Sequence, residues 1–170
     1  MQFLSELQIT YKRCLLGLAS YQELIAWGIN RLQADEEGDD LDVVLLASTN
    51  EEKEAIFLVE KIIRRHAEYE IDLAFVIGKE LIDIRNGLRE RKLTISTIES
   101  VVDKFYRELA QPSWLTMLSR NCEYATDIDN FVKPFNDELD YICSLWERCS
   151  SFEEFDKIYD RAISNSHDLK

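Results

Sequence analysis

The chain has 170 residues, 46% of them hydrophobic and 31% charged, which suits one domain with a real core. Thirty-three acidic against twenty basic side chains leave a net charge of −13, which argues against nucleic acid as a partner, because phosphate binding needs a basic patch. The longest apolar runs, 43–47 and 73–78, are too short to span a bilayer, and Glu6 interrupts what a secretory leader would keep apolar, so the expectation is a cytoplasmic protein with no membrane partner.

Taken in chain order, apolar residues recur at helical spacing almost throughout. Leu4, Leu7, Tyr11, Cys14, Leu15 and Leu18 make a first stripe, and Tyr21, Leu24, Ile25 and Leu32 a second. The acidic stretch 32–42 follows, then "VVLL" (43–46), a candidate for a short extended piece. Ala55, Ile56, Val59, Ile62 and Ile63 form the third stripe. Segment 71–92 is less regular but ends in bases that suit a helix C-terminus. "LTI" (93–95) is a second extended candidate. Ile98, Val101, Val102, Phe105 and Leu109 give the cleanest stripe, and a further helix starts after Pro112. Leu139, Ile142, Cys143, Trp146 and Cys149 come next, and Phe152, Phe155, Tyr159, Ala162 and Ile163 close the chain.

Helix starts agree with the stripes. Ser20 with Glu23, Thr49 with Glu52, Ser96 with Glu99 and Ser151 with Glu154 all have capping-box spacing, in which a hydroxyl and a carboxylate each satisfy an orphan N–H. Only two prolines, at 112 and 134, interrupt the pattern. The expectation is an all-α fold: a single compact domain over residues 1–170, of about seven or eight amphipathic helices with short loops.

The acidic stretch between the second and third stripes is not a calcium loop. With Gly38 at the glycine position of such a loop, the first ligand position falls on Gln33 and the twelfth on Val44, where a bidentate Glu is required. The search for catalytic chemistry is equally negative. Neither His66 nor His167 stands in a metal-ligand pattern, and both read as surface histidines. No phosphate-binding glycine loop or nucleophile motif is apparent. Cys14, Cys122, Cys143 and Cys149 have no CxxC spacing and read as free thiols. The expectation is therefore no metal, no cofactor and no enzyme. Trp146 lies on a core stripe, whereas Trp27 and Trp114 fit their stripes less well and are the better candidates for an interface.

Charge is unevenly spread. Residues 1–49 carry −5, residues 50–122 carry −1 and residues 123–170 carry −7. Two readings stand: a surface that only aids solubility, or one complementary to a basic protein.

Two stretches carry a resemblance. "LLGLASYQELIAWGINRLQADEEGDDLDVVLLASTNEEKEAIFLVEKII" (15–63) and "IESVVDKFYRELAQPSWLTMLSR" (98–120) resemble small acidic all-helical bacterial immunity proteins encoded beside polymorphic and contact-dependent growth-inhibition toxins. The shared pattern is a helix opening "S-x-x-E-L-I-x-W", an acidic loop, an "L-x-x-L-A-S" segment and an amphipathic helix. Where the family has Ala after the tryptophan, this chain has Gly28. The resemblance implies a protein that is monomeric when free and binds one cognate toxin, often a basic nuclease, to block its active site. The toxin-binding face expected from the charge is composite. It joins Asp35, Glu36, Glu37, Asp39 and Asp40 of the loop to Asp137, Glu138 and Asp140 of the later acidic segment. The alternatives are a helical adaptor or scaffold for an unrelated partner, and an enzyme whose site is assembled from scattered acids.

Overall fold

The computed structural model of the chain describes residues 2–34 and 40–167, with side chains for 4–34 and 40–164. Nine α-helices and one short 3-10 turn form among the described residues, which hold no strand. The all-α expectation holds, with one or two helices more than the seven or eight expected. The residues divide into two compact units, Met1–Ile71 and Asp72–Lys170.

The first unit holds α1 (Gln2–Leu15), α2 (Tyr21–Ala34), α3 (Leu41–Ser48) and α4 (Glu52–His66). Leu7, Leu24, Val43, Leu46, Ala55, Leu58, Val59 and Ile62 form its core, with Tyr11, Cys14, Trp27 and Ile63 packed against them. Leu7, Leu24, Ala55, Val59 and Ile62 come from the stripes; Val43, Leu46 and Leu58 do not. Helix α3 is the correction to the extended reading of 43–46. Asp40 caps it, accepting from the Asp42 N–H at 3.0 Å, and a cap satisfies donors that the helix cannot. Gly28 completes the arrangement: a Cβ there would stand 3.2 Å from the Ala47 backbone nitrogen and 3.3 Å from Leu46 Cγ. Close packing and a cap outweigh the strand preference of two adjacent valines. A buried amide ties the end of the unit to α1. The Gln8 Nε2 donates to the Tyr69 carbonyl at 3.1 Å, and its Oε1 accepts from the Ile71 N–H at 2.8 Å.

The second unit holds α5 (Leu73–Arg89), α6 (Ile95–Glu108), α7 (Ser113–Asp127), a 3-10 turn (Asp129–Phe131), α8 (Val132–Trp146) and α9 (Phe152–His167). The "LTI" candidate is likewise corrected: Leu93 lies in the connection and Ile95 begins α6. Leu93 is held over Gly87, where an added Cβ would come within 2.6 Å of its Cδ1. Pro134 sits in the first turn of α8, where its missing N–H would have no helical partner anyway. The core is aromatic. Trp146 is fully buried, stacked on Phe155 at 4.0 Å between centroids, with Trp114 edge-on at 5.6 Å. Only a residue without a side chain fits opposite it, since a Cβ on Gly78 would lie 2.3 Å from the Trp146 ring.

The four expected capping boxes fare unevenly. At α2 the Glu23 carboxylate accepts from the Ser20 N–H at 3.1 Å. At α9 the Glu154 N–H donates to Ser151 Oγ at 3.3 Å, while its carboxylate accepts from the Ser150 N–H at 2.7 Å. At α6 the box shifts two residues back: Thr94 is the cap, and its N–H donates to Thr97 Oγ1 at 3.1 Å. Glu99 is engaged elsewhere, accepting from Thr126 of α7 at 3.1 Å. At α4 Glu51 is the cap residue, and Thr49 bonds Glu54 rather than forming a box with Glu52.

Candidate interaction surfaces

Asp35, Glu36, Glu37 and Asp39 lie outside the described residues. Asp40, the remaining loop acid, is the N-cap of α3 and works within the unit. Its carboxylate accepts from Arg65 at 3.3 Å and lies 2.8 Å from His66 Nε2. Beside it Asp42, only 2% exposed, takes Lys61 Nζ at 2.8 Å and an Arg65 guanidinium nitrogen. The hydrogen bond from Lys61 holds the Asp42 carboxyl below the usual carboxylate range; burial opposes this, and the charge of Arg65 reinforces it. Two acids at the start of α3 therefore meet three bases at the end of α4. Sequence reading took His66 as an ordinary surface histidine. The signal for its partner was the base run 64–66, whose natural complement is an acid nearby in space.

The rest of α3 presents an unusual surface. Asp42, Val43 and Leu46 turn inward, so positions 41, 44, 45 and 48 turn outward, at the spacing that puts residues on one helix face. They are Leu41, Val44, Leu45 and Ser48, with Leu41 66% and Leu45 41% exposed. In a chain that is 31% charged, the outer face of this helix holds no charge. Phe57 of α4 is 63% exposed. It stands one turn from Lys61, on the ridge whose next turns reach Asp42. With only 49–51 between the helices and the far end of α4 paired to the start of α3, the two run antiparallel. That places Phe57 level with the second turn of α3, the turn of Leu45.

In the second unit the three acids of α8 differ from one another. Asp137 pairs with Lys133 one turn before it. Asp140 accepts from Arg89 at 2.7 Å. Glu138 is partly buried, and burial pushes its carboxyl up. Beside Asp140 a cleft of about 270 Å³ is lined by Arg85, Leu88, Arg89, Asn136 and Leu139. The Arg85 side chain is nearly buried and pairs with Glu147, while its Nε has no partner. Each arginine of the cleft thus already has its own carboxylate, so the cleft offers no uncompensated positive charge.

One of the two tryptophans expected at an interface corrects the sequence reading. Trp114 is 3% exposed and packs edge-on to Phe155 at 4.9 Å, so it belongs to the core of the second unit. Trp27 packs against the core of the first. Helical periodicity placed Trp146 but misjudged Trp114, because the first residues after a proline-capped start follow no established stripe. Three cysteines, 122, 143 and 149, are buried, and Cys14 is partly exposed. Burial pushes the Cys122 and Cys143 thiols up to about 12, which leaves them unreactive as nucleophiles. Among the described residues no group of three or more His, Cys, Asp or Glu is placed to hold a metal ion, and no helix is long and apolar enough to cross a membrane. Compared with models of protein families, with curated proteins and with solved structures, the chain matches none.

Proposed function

We propose that this chain is a stoichiometric binding protein whose partner is a basic protein, and that it serves as the immunity protein of a bacterial toxin. The charge carries the reading. The surplus of acid is present in both units, −7 over residues 1–71 and −6 over residues 72–170. Such a field steers a cationic partner into encounter and repels a second copy or a nucleic acid. The resemblance of 15–63 and 98–120 to immunity proteins supplies the biological role. In this reading the folded chain covers the surface by which a basic toxin domain would hold its polyanionic substrate, and no turnover takes place.

Co-expression tests it. A cell producing the toxin encoded beside this chain's gene should stop growing, and should resume growth when the chain is made at a comparable level. Continued arrest with both proteins present and folded would leave a helical adaptor for another partner as the better reading.

A further inference from the structure

We propose that the outward face of α3, extended by Phe57 of α4, is the anchor of a protein interface. Its occupant is an amphipathic segment of another protein, with apolar residues flanked by lysine or arginine. This rests on the binding role put forward above and gives that role a place in the first unit.

Scattered exposed apolar residues are normal and call for no explanation. These are not scattered. Leu41, Val44 and Leu45 occupy consecutive turns of one short face, and Phe57 is the most exposed aromatic side chain among the described residues of the unit. The helix beneath the face is held at several points. Gly28 and Leu46 seat α3 from beneath, Asp40 caps it, and the Asp42, Lys61 and Arg65 cluster fastens its first turn to α4. A preorganised apolar strip loses little freedom on binding, and depletion of charge is what distinguishes the centre of an interface from the surface around it.

Charge names the occupant. On the ridge of Phe57, Lys61 and Arg65 are already matched to Asp42 and Asp40. The unit as a whole keeps −7, and four acids, at 35–37 and 39, directly precede Asp40 in the chain. An apolar partner of the same sign, including a second copy of this chain, would bring like charges together around the contact. An apolar ridge edged with bases would not.

The experiment uses the full chain, isotopically labelled, titrated with two synthetic peptides and followed by amide chemical shifts. One peptide carries leucine at i, i+3, i+4 and i+7 with lysine elsewhere; the other keeps every lysine but has serine for leucine. The leucine peptide should shift amides centred on 41–48 and 57 and should bind at least tenfold more tightly than the serine peptide. Leu45→Asp should weaken it at least tenfold while the circular dichroism and melting curve stay unchanged. Leu41→Asn, at the more exposed position, takes its place should that variant fail to fold. Equal binding of the two peptides would overturn the proposal, as would shifts centred elsewhere, no binding of the leucine peptide, or self-association of the chain that Leu45→Asp abolishes. Rescue of growth is scored separately. Full rescue by Leu45→Asp would remove this face from the interface and leave the binding role standing, whereas no rescue by the native chain would strike the role itself.

Discussion

Asp42 shows how one side chain can be both charged and buried. Removing a carboxylate from water is costly unless its oxygens are matched, and here one takes Lys61 and the other Arg65. Its folded-state acidity lies below the ordinary carboxylate value, so its contribution to stability is complete above about pH 4 and is lost as the pH falls through the lower, folded-state value. Asp42→Asn should cost about 1–3 kcal/mol at neutral pH, the worth of hydrogen bonds to a charged group. The gap between variant and native chain, read from urea denaturation, should narrow as the pH drops below about 4 and close toward the lower pH at which the native carboxyl also becomes neutral. A gap that stays constant with pH would mean that packing, and not charge, holds this corner. None of this was legible in the sequence, because Asp42 looked like one more acid in an acidic stretch, and only the fold brings Lys61 and Arg65 to it.

At the scale of the element, helix existence was readable and helix ends were not. Apolar periodicity finds six of the helices, α1, α2, α4, α6, α8 and α9, because each has a face buried by its neighbours, and that face repeats every turn; α5 and α7 are read instead from closing bases and a proline start. It failed at α3, whose apolar residues lie on both faces: Val43 and Leu46 serve the core, while Leu41, Val44 and Leu45 do not. A stripe on all sides has no period to read, and the same fact that hid the helix marks its outer face. Caps depend on which donor a hydroxyl reaches, which spacing alone does not decide; Thr94 with Thr97 displaced Ser96 with Glu99 for this reason. The end of α6 offers a test. Ala110 and Gln111 both have positive φ, 55° and 61°, a region in which a Cβ meets the neighbouring carbonyl. The Gln111 N–H closes the helix on the Tyr106 carbonyl at 2.7 Å, a geometry that usually employs glycine. Ala110→Gly should therefore raise stability by about 1 kcal/mol, with a correspondingly higher melting temperature. The same change at Ala125, buried within α7, should lower it.

For the whole molecule, composition and charge indicated an acidic helical protein but not the arrangement of its surface. The expected composite face drew its residues from both units: Asp40 belongs to the first, and Asp137, Glu138 and Asp140 belong to the second. Several of those acids are matched internally, Asp40 by Arg65, Asp137 by Lys133 and Asp140 by Arg89, and matched acids contribute less to the outward field than a count suggests. Sequence cannot show this, since pairing is decided by helices that meet only in the fold. The test of steering is accordingly best confined to Asp35, Glu36, Glu37 and Asp39. Replacing them with Asn and Gln should slow association with a basic partner and flatten its dependence on salt, read by stopped flow across a salt series. The same treatment of Glu52, Glu54 and Glu60 should change the rate much less. Its effect on stability must be measured beside it, because Glu60 accepts from Tyr11 at 2.6 Å and Glu54 is bonded to Thr49. Equal slowing by both sets would mean that only total charge matters.

The placing of the three tryptophans has an optical consequence. Trp27 is the sole indole of the first unit, and Trp114 and Trp146 share the second. The latter two are shut away from water among Phe155 and its neighbours, with neither ring nitrogen hydrogen-bonded. Indoles in so apolar a setting emit to the blue of one at a wetter position, and edge-on rings 5.6 Å apart couple their transitions. The chain thus contains its own pair of reporters, distinguished by colour and by ellipticity in the near ultraviolet. With Trp27 replaced by phenylalanine, the remaining light comes from the second unit alone, and the difference from the native signal follows the unit that bears the apolar face of α3.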